Sequence, residues 1–296
     1  MDGSFSVWDP KRTIRGNGAL KFTRDDVWDG NNDSIEGLLR DWVAWQSTAS
    51  EEFEMLTTAL RVLSPPDLGA IEPGPAIRLA GDHRSTPTIV HRYGQIPLKF
   101  ASAGVRRILT LAYLIVWSWS QHLQIAKETG SKVEKRIVLL FDEVEAHLHP
   151  KWQRILLPAV LKVFAALNQD AKIQVIVASH SPLVLSSLDS IFDISTDKSF
   201  HLECSLSGRV SLEERPYLQH GKVDNWLSSD TFGLVEPRSV HSEHLIRRAS
   251  ILQDEPESAT AEEVKLLTNQ LTQVLPPDDS FWLTWILFAE DFDVKV

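Results

Sequence analysis

Two apolar runs of strand length, IVLLFD at 137–142 and KIQVIVASH at 172–180, constrain the fold of this chain more than any other feature. In each run, neighbours that would face opposite sides of a sheet are both apolar, the pattern of a strand covered on both faces in a parallel or mixed sheet. Between the runs, Trp152, Leu156, Val160, Phe164 and Leu167 recur at helical spacing. The helix should start near Pro150, whose missing N–H costs nothing at a first helical position, and Pro158 should kink it. Strand, helix and strand in that order form a βαβ unit, so the two strands are expected to lie parallel as neighbours or near neighbours. FDIST (192–196) and FHLEC (200–204) are expected to continue the same sheet.

Helical spacing also marks 34–46, where Ile35, Leu38, Leu39, Trp42, Val43 and Trp45 recur, and 51–63, which Ser64-Pro65-Pro66 ends. AIRLA (76–80) and TIVHRYG (88–94), joined by GDHRSTP, read as an antiparallel pair leading into a long helix from about 103 to 127. WDPKR, RGNG and WDGNND near the start are turn-rich, and from about Lys222 the chain reads as polar helix broken by PPDD at 276–279. The expected fold class is α/β with a parallel or mixed sheet core over 76–210. An irregular and helical region (1–75) precedes that core, and a helical extension (211–296) follows it.

A formal net charge of −10 argues against a surface that binds nucleic acid all round. The single cysteine, Cys204, excludes an internal disulfide and a cysteine-rich zinc module, and fits a reducing, cytoplasmic location. The longest apolar run, ILTLAYLIVWSW at 108–119, is too short to span a bilayer and is interrupted by Thr110 and Ser118, so no membrane partner is expected.

The first strand runs into Asp142 and Glu143, and the second into ASHSP (178–182) with His180. Parallel pairing would bring both tips to the carboxyl end of the sheet, where α/β folds bind ligands. Adjacent carboxylates there suit nucleotide hydrolysis: Asp142 would hold Mg²⁺ directly or through water, and Glu143 would reach a water lined up on a γ-phosphate. Alone, the pair is as consistent with two solvated carboxylates, and a lone histidine is more often structural. Upstream, FASAGVRRIL (100–109) opens the long helix with small residues, Ser102 and Gly104 among them. Free N–H groups there and the Ser102 hydroxyl make an anion site, an ordinary cap, or both.

Taken in order, SAGVRRIL, IVLLFDEVEAHLHP and VIVASHSP resemble the second half of an ABC-type ATPase head, as in the RecF, structural-maintenance-of-chromosomes and OLD-like group of ATP-binding proteins. The resemblance covers about residues 90–200 and implies a P-loop NTPase-like fold, of which this chain would be the C-terminal lobe, with ATP and Mg²⁺ as cofactors. By that resemblance Asp142 is the Mg²⁺-associated residue, Glu143 the general base or water-positioning group, and His180 the switch histidine. Glu145, Ala146, His147 and Leu148 form a loop that crosses a dimer interface. Ser102 and Gly104 belong to the signature that reads the γ-phosphate bound by the opposite subunit. DVWDG with EGLLRDWVAWQ, and SSDTFGL with EPRS at 228–239, add a general likeness to ATPases that anti-phage systems pair with a nuclease, Septu-like systems among them. A homodimer, a nuclease effector and DNA are the partner classes this brings in.

The phosphate-binding loop of that family, G-x-x-x-x-G-K-[ST], is absent from the 296 residues. GNGALKFT (16–23) has two glycines and a lysine at the wrong spacing with no apolar strand before it, and reads as a surface turn. The expectation is a C-terminal part of a longer ATPase, or a chain completed by another polypeptide. Alone it should hydrolyse ATP weakly or not at all, because positioning is most of phosphoryl-transfer catalysis. It should also expose apolar faces and associate.

Two other readings compete. Asp142, Glu143, Glu145, His147 and His149 are ligand types that suit Zn²⁺ or Mn²⁺ in a metal-dependent hydrolase. The helices of 238–290, with FWLTWILF at 281–288, could instead anchor a partner in a non-catalytic module, although packing onto the sheet lobe explains them as well. The ten tryptophans read as core or interface anchors rather than base-stacking residues.

Overall fold

The computed structural model describes residues 5–8, 19–31, 34–168, 170–205 and 207–296. The chain divides into two compact units, Met1–Gly221 and Lys222–Val296.

In the first unit, β1 (Phe5–Trp8) pairs antiparallel with β2 (Ala19–Phe22). Ala19–Phe22 is therefore a strand and not part of the turn expected over 16–23, whose residues 16–18 lie outside the described residues. A short helix, α1 (Arg24–Asp29), follows without having been expected. Its start is written as a capping box: Asp26 N donates to Thr23 Oγ1 at 3.1 Å, and Thr23 N to Asp26 Oδ2 at 2.8 Å. Next, α2 (Leu38–Thr48) begins later than the spacing predicts, because Gly37 at φ 87 leaves helical geometry just before it. The third helix, α3 (Glu51–Val62), stops ahead of the two prolines as expected.

The strands β3 (Glu72–Arg78), β4 (Ser85–His91) and β5 (Gly94–Pro97) form an antiparallel sheet in that order, with a register shift between Gly74 and Ile77. From it the chain enters α4 (Ala103–Thr129), capped by Ser102 and closed by Gly130 at φ 61.

The βαβ unit is present. Parallel strands β6 (Arg136–Asp142) and β7 (Lys172–Ala178) pair in register from Arg136 opposite Lys172 to Asp142 opposite Ala178. Two helices connect them, α5 (Pro150–Gln153) and α6 (Leu156–Leu167), and α7 (Pro182–Ser186) follows β7. The break falls before Pro158 rather than at it, so that proline occupies the first turn of α6, where its missing N–H has no intrahelical partner to lose.

Burial on both faces is not what this sheet shows. Ile137, Leu139, Phe141, Ile173 and Val177 pack against the main core. On the opposite face Val138, Leu140 and Ile176 are 58%, 74% and 51% exposed. A continuous apolar run records what a strand tolerates on each side, whereas cover must come from other elements, and among the described residues of this unit none covers this side. Nor does FHLEC extend the sheet. It lies in β8 (Ser199–Cys204), which forms a separate antiparallel hairpin with β9 (Val210–Arg215), while 192–196 is turn. The partner nearest in sequence takes up the backbone groups of β8, so none of its ladder is shared with β7.

The core of this unit joins α2, α3, α4 and α6 through residues such as Trp42, Leu56, Leu60, Tyr113, Val116 and Val160. Two tryptophan N–H groups are satisfied inside it: Trp28 Nε1 donates to Thr110 Oγ1 at 2.9 Å and Trp152 Nε1 to Leu63 O at 3.1 Å.

The second unit holds α8 (Val223–Leu227), α9 (Val240–Asp254), α10 (Ala261–Val274) and α11 (Trp282–Glu290). Trp282 and Trp285 of FWLTWILF are buried with Leu245, Ile246, Leu267 and Leu271 of the same unit. That anchor thus has a core of its own. No helix among the described residues is long and apolar enough to cross a membrane.

Candidate active site

Because β6 and β7 are parallel and in register, both strands end on the same edge of the sheet, with Asp142 exposed opposite Ala178. The ladder continues for one more bond, from Glu143 N to Ala178 O at 3.0 Å. There the chain turns. Glu143 takes φ 47 and His147 φ 64, left-handed values that cost a non-glycine residue about 1 to 2 kcal/mol. Ala146 N donates to Glu143 O at 3.0 Å and Leu148 N to Glu145 O at 2.9 Å, which closes the turn. Leaving strand geometry between 142 and 143 ends the strict alternation of faces, the condition for two adjacent carboxylates to serve one site.

Glu145 is directed back into the chain. Its Oε1 accepts from His180 N at 2.7 Å and its Oε2 from Ser179 Oγ at 2.8 Å. Ser181 N donates to Ser179 Oγ at 3.1 Å, Ser181 Oγ to Gln153 Oε1 at 2.7 Å, and Gln153 Nε2 to Leu148 O at 2.9 Å. One polar network therefore joins the tip of β7, the turn after β6 and the end of α5. Ser179, Ser181 and Gln153 escaped the reading of the sequence. Only Ser181 carried a local mark, as the cap ahead of Pro182.

The third contributor is the start of α4. Ser102 Oγ accepts from Val105 N at 3.4 Å, an N-cap on an exposed residue. Two residues on, a Cβ on Gly104 would stand 3.0 Å from His147 O, so the small residue allows helix and turn to approach closely. Arg107, half-buried, donates from Nη2 to Glu143 O at 3.2 Å. Its burial lowers the guanidinium pKa, the nearby carboxylates of Glu145 and Glu143 oppose that, and the side chain stays cationic. Ser102 and Gly104 at the start of α4, Asp142, Glu143, Glu145 and His147 at the end of β6 and in its turn, and His180 past β7 are thus joined through the β6 turn, which contacts the other two. Arg107 was missed because nothing in its spacing distinguishes it from Arg106.

The competing metal set is not assembled. His149 caps α5, its Nδ1 accepting from Lys151 N at 3.2 Å, and no group of three or more His, Cys, Asp or Glu side chains among the described residues is placed to hold a metal ion. For Mg-ATP, an exposed Asp142 at one strand tip and an exposed His180 two residues past the neighbouring tip fit the metal and terminal-phosphate end. A cradle for the remaining phosphates is not offered by the motif residues present.

Residues 90–186 match the family model described as AAA domain, putative AbiEii toxin, Type IV TA system. Among curated proteins, the chain is 26% identical over 146 residues to the Retron Ec83 probable ATPase of Escherichia coli, covering 48% of this chain and 23% of that protein. It is 26% identical over 178 residues to the Septu protein PtuA of Bacillus mycoides (strain KBAB4), covering 60% and 22%. A 53-residue stretch is 40% identical to the Retron Vc95 probable ATPase of Vibrio cholerae, covering 18% and 9%. The chain therefore spans less than a quarter of the length of these relatives. Among solved structures, a chain from a study of ATP-driven dimerization and DNA-stimulated activation of SMC ATPases superimposes with a TM-score of 0.37 at 14% identity, over 59% of this chain and 89% of that one. The SMC head domain from Thermotoga maritima gives 0.31 at 12% identity, over 72% and 73%. Both overlaps are too low to decide the fold, which rests on the strand and helix order described above. Over residues 90–186 the chain is thus similar to an AAA domain, and its relatives include retron and Septu proteins, two of them named as probable ATPases.

Proposed function

We propose that the chain is a lobe of an ABC-type ATPase that works as an ATP-dependent dimerising switch. The observation that carries this is the in-register parallel pairing of β6 and β7, which sets Asp142 and Glu143 beside the His180 turn, with the start of α4 packed against them. Bound Mg-ATP would supply the electrophilic phosphorus. Asp142 would hold the Mg²⁺, Glu143 would orient a water and take its proton as that water displaces ADP from the γ-phosphorus, and His180 would meet the terminal phosphate. Ser102 and Gly104, with the free N–H groups of α4, address the phosphate held by a facing subunit, and the turn carrying Glu145 and His147 lies on that same side. The phosphate cradle comes from a partner lobe. The likeness of DVWDG, EGLLRDWVAWQ and EPRS to ATPases that anti-phage systems pair with a nuclease supports an effector under the control of this switch, with a nuclease as its class, in phage defence or DNA maintenance, and a Septu protein stands among the relatives.

The test is calorimetric binding of Mg-ATP and turnover in the assembled complex, with Glu143→Gln and Asp142→Ala compared to wild type. Glu143→Gln should keep nucleotide, lose turnover and accumulate the dimer. Undiminished turnover in that variant removes Glu143 from the role.

A further inference from the structure

We infer that Arg107 is a positioning residue: by holding the main-chain carbonyl of Glu143 it keeps that residue in the left-handed turn at the tip of β6. What Glu143 does there rests on the ATPase reading; how it is held does not.

Glu143 at φ 47 has a cheaper alternative. An extended conformation would simply prolong β6 and return residues 142 and 143 to opposite faces. Two bonds oppose that change, since the bond from Glu143 N to Ala178 O belongs to the ladder and would survive it. Glu143 O accepts from Ala146 N at 3.0 Å and from Arg107 Nη2 at 3.2 Å. The first is a main-chain bond open to any residue at these positions. The second is the side-chain contribution, and it comes from a helix 36 positions upstream.

The charge argues the same way. A half-buried guanidinium needs compensation, and here the carbonyl dipole is joined by the carboxylates of Glu143 and Glu145. Moving the turn would strip the cation of its nearest acceptor, so the position of Arg107 and the conformation of Glu143 stabilise each other. Arg107 is also an attachment of α4 to this turn, at Glu143, beside the close approach of Gly104 to His147 O. A planar, multi-donor guanidinium can serve a carbonyl while facing two carboxylates, whereas a lysine ammonium is a single point charge.

The test is amide hydrogen exchange on the whole chain, without nucleotide, for Arg107→Gln, Arg107→Lys and wild type. In Arg107→Gln the amides of Ala146 and Leu148 should exchange about tenfold faster or more, as expected for loss of one charge-assisted bond, while the middle of α4 and of β6 keeps its protection. Arg107→Lys should fall between the two. Unchanged exchange at Ala146, or an equal rise across α4 and β6, overturns the inference; should Arg107→Gln fail to fold, the same amides in Arg107→Lys decide. In an assembly that hydrolyses ATP, Arg107→Gln should lower kcat about tenfold with KM for ATP little changed, the pattern of lost transition-state positioning. A fall in binding alone contradicts it. If the wild-type assembly hydrolyses no ATP, the ATPase reading fails, while the exchange result still stands for or against Arg107.

Discussion

The main-chain N–H of His180 donates to Oε1 of Glu145 at 2.7 Å, fastening the tip of β7 to the turn that follows β6. Glu145→Ala removes the acceptor for this N–H and for the Ser179 hydroxyl. Both donors are partly open to water, so a loss of about 1 to 2 kcal/mol is expected in urea unfolding, with a smaller loss for Glu145→Gln, which keeps one oxygen. An unchanged midpoint in Glu145→Ala would show that water replaces the carboxylate without cost.

Glu143 is retained in a conformation that glycine adopts freely. Glu143→Gly should therefore leave the fold at least as stable, by up to about 1 kcal/mol, offset in part by the freer unfolded chain. Thermal unfolding reads this directly. Glu143→Gln keeps the strain and should show the wild-type Tm, which separates stability from any loss of turnover.

Asp41 accepts from Tyr113 Oη at 2.7 Å, and burial holds its carboxyl pKa above the ordinary value of 3.8 despite that bond. A raised native pKa means that the folded chain binds the proton more readily than the unfolded chain. The ionised group then costs stability at neutral pH, and that cost disappears as pH falls through the native pKa towards the unfolded one. Asp41→Asn keeps an acceptor for Tyr113 and should be more stable than wild type at pH 7. The gap between the two urea midpoints should narrow as the pH is lowered. A gap that widens on acidification would contradict burial as the dominant cause.

On the open face of the parallel pair, Leu140→Lys should change stability by no more than about 0.5 kcal/mol, because the side chain it replaces is mostly in water. The same change should reduce self-association in light scattering, since it breaks up the patch shared with Val138 and Ile176. A loss of several kcal/mol would mean that this face is covered.

If the chain is the proposed dimerising switch, Ser102→Arg should leave nucleotide binding intact and block closure of the dimer. It should cost the fold only about 1 kcal/mol, the loss of an N-cap on an exposed residue. Dimerisation on ATP that survives the substitution would remove Ser102 from the interface.

Local patterns in the sequence carried the βαβ unit, the long α4 behind Ser102, the helix at 51–62 and the strand-tip positions of Asp142, Glu143 and His180. These follow from periodicity, caps and prolines, which act over a few residues and need no partner elsewhere. Even the overlooked α1 was written locally, in the capping box of Thr23 and Asp26.

What only the tertiary structure decided concerns partners distant in sequence. IVLLFD is apolar at every position before its carboxylate, yet Leu139 meets the core and Leu140 meets water, because cover is supplied by other elements. FHLEC had the composition of another strand of the parallel sheet and paired instead with the segment just after it. The strand-tip positions of Asp142, Glu143 and His180 were legible, whereas the contacts of Arg107 and the Glu145 network were not. A hydrogen bond across 35 or 36 positions leaves no trace in spacing, since only the packing of α4, β6 and β7 brings donor and acceptor together.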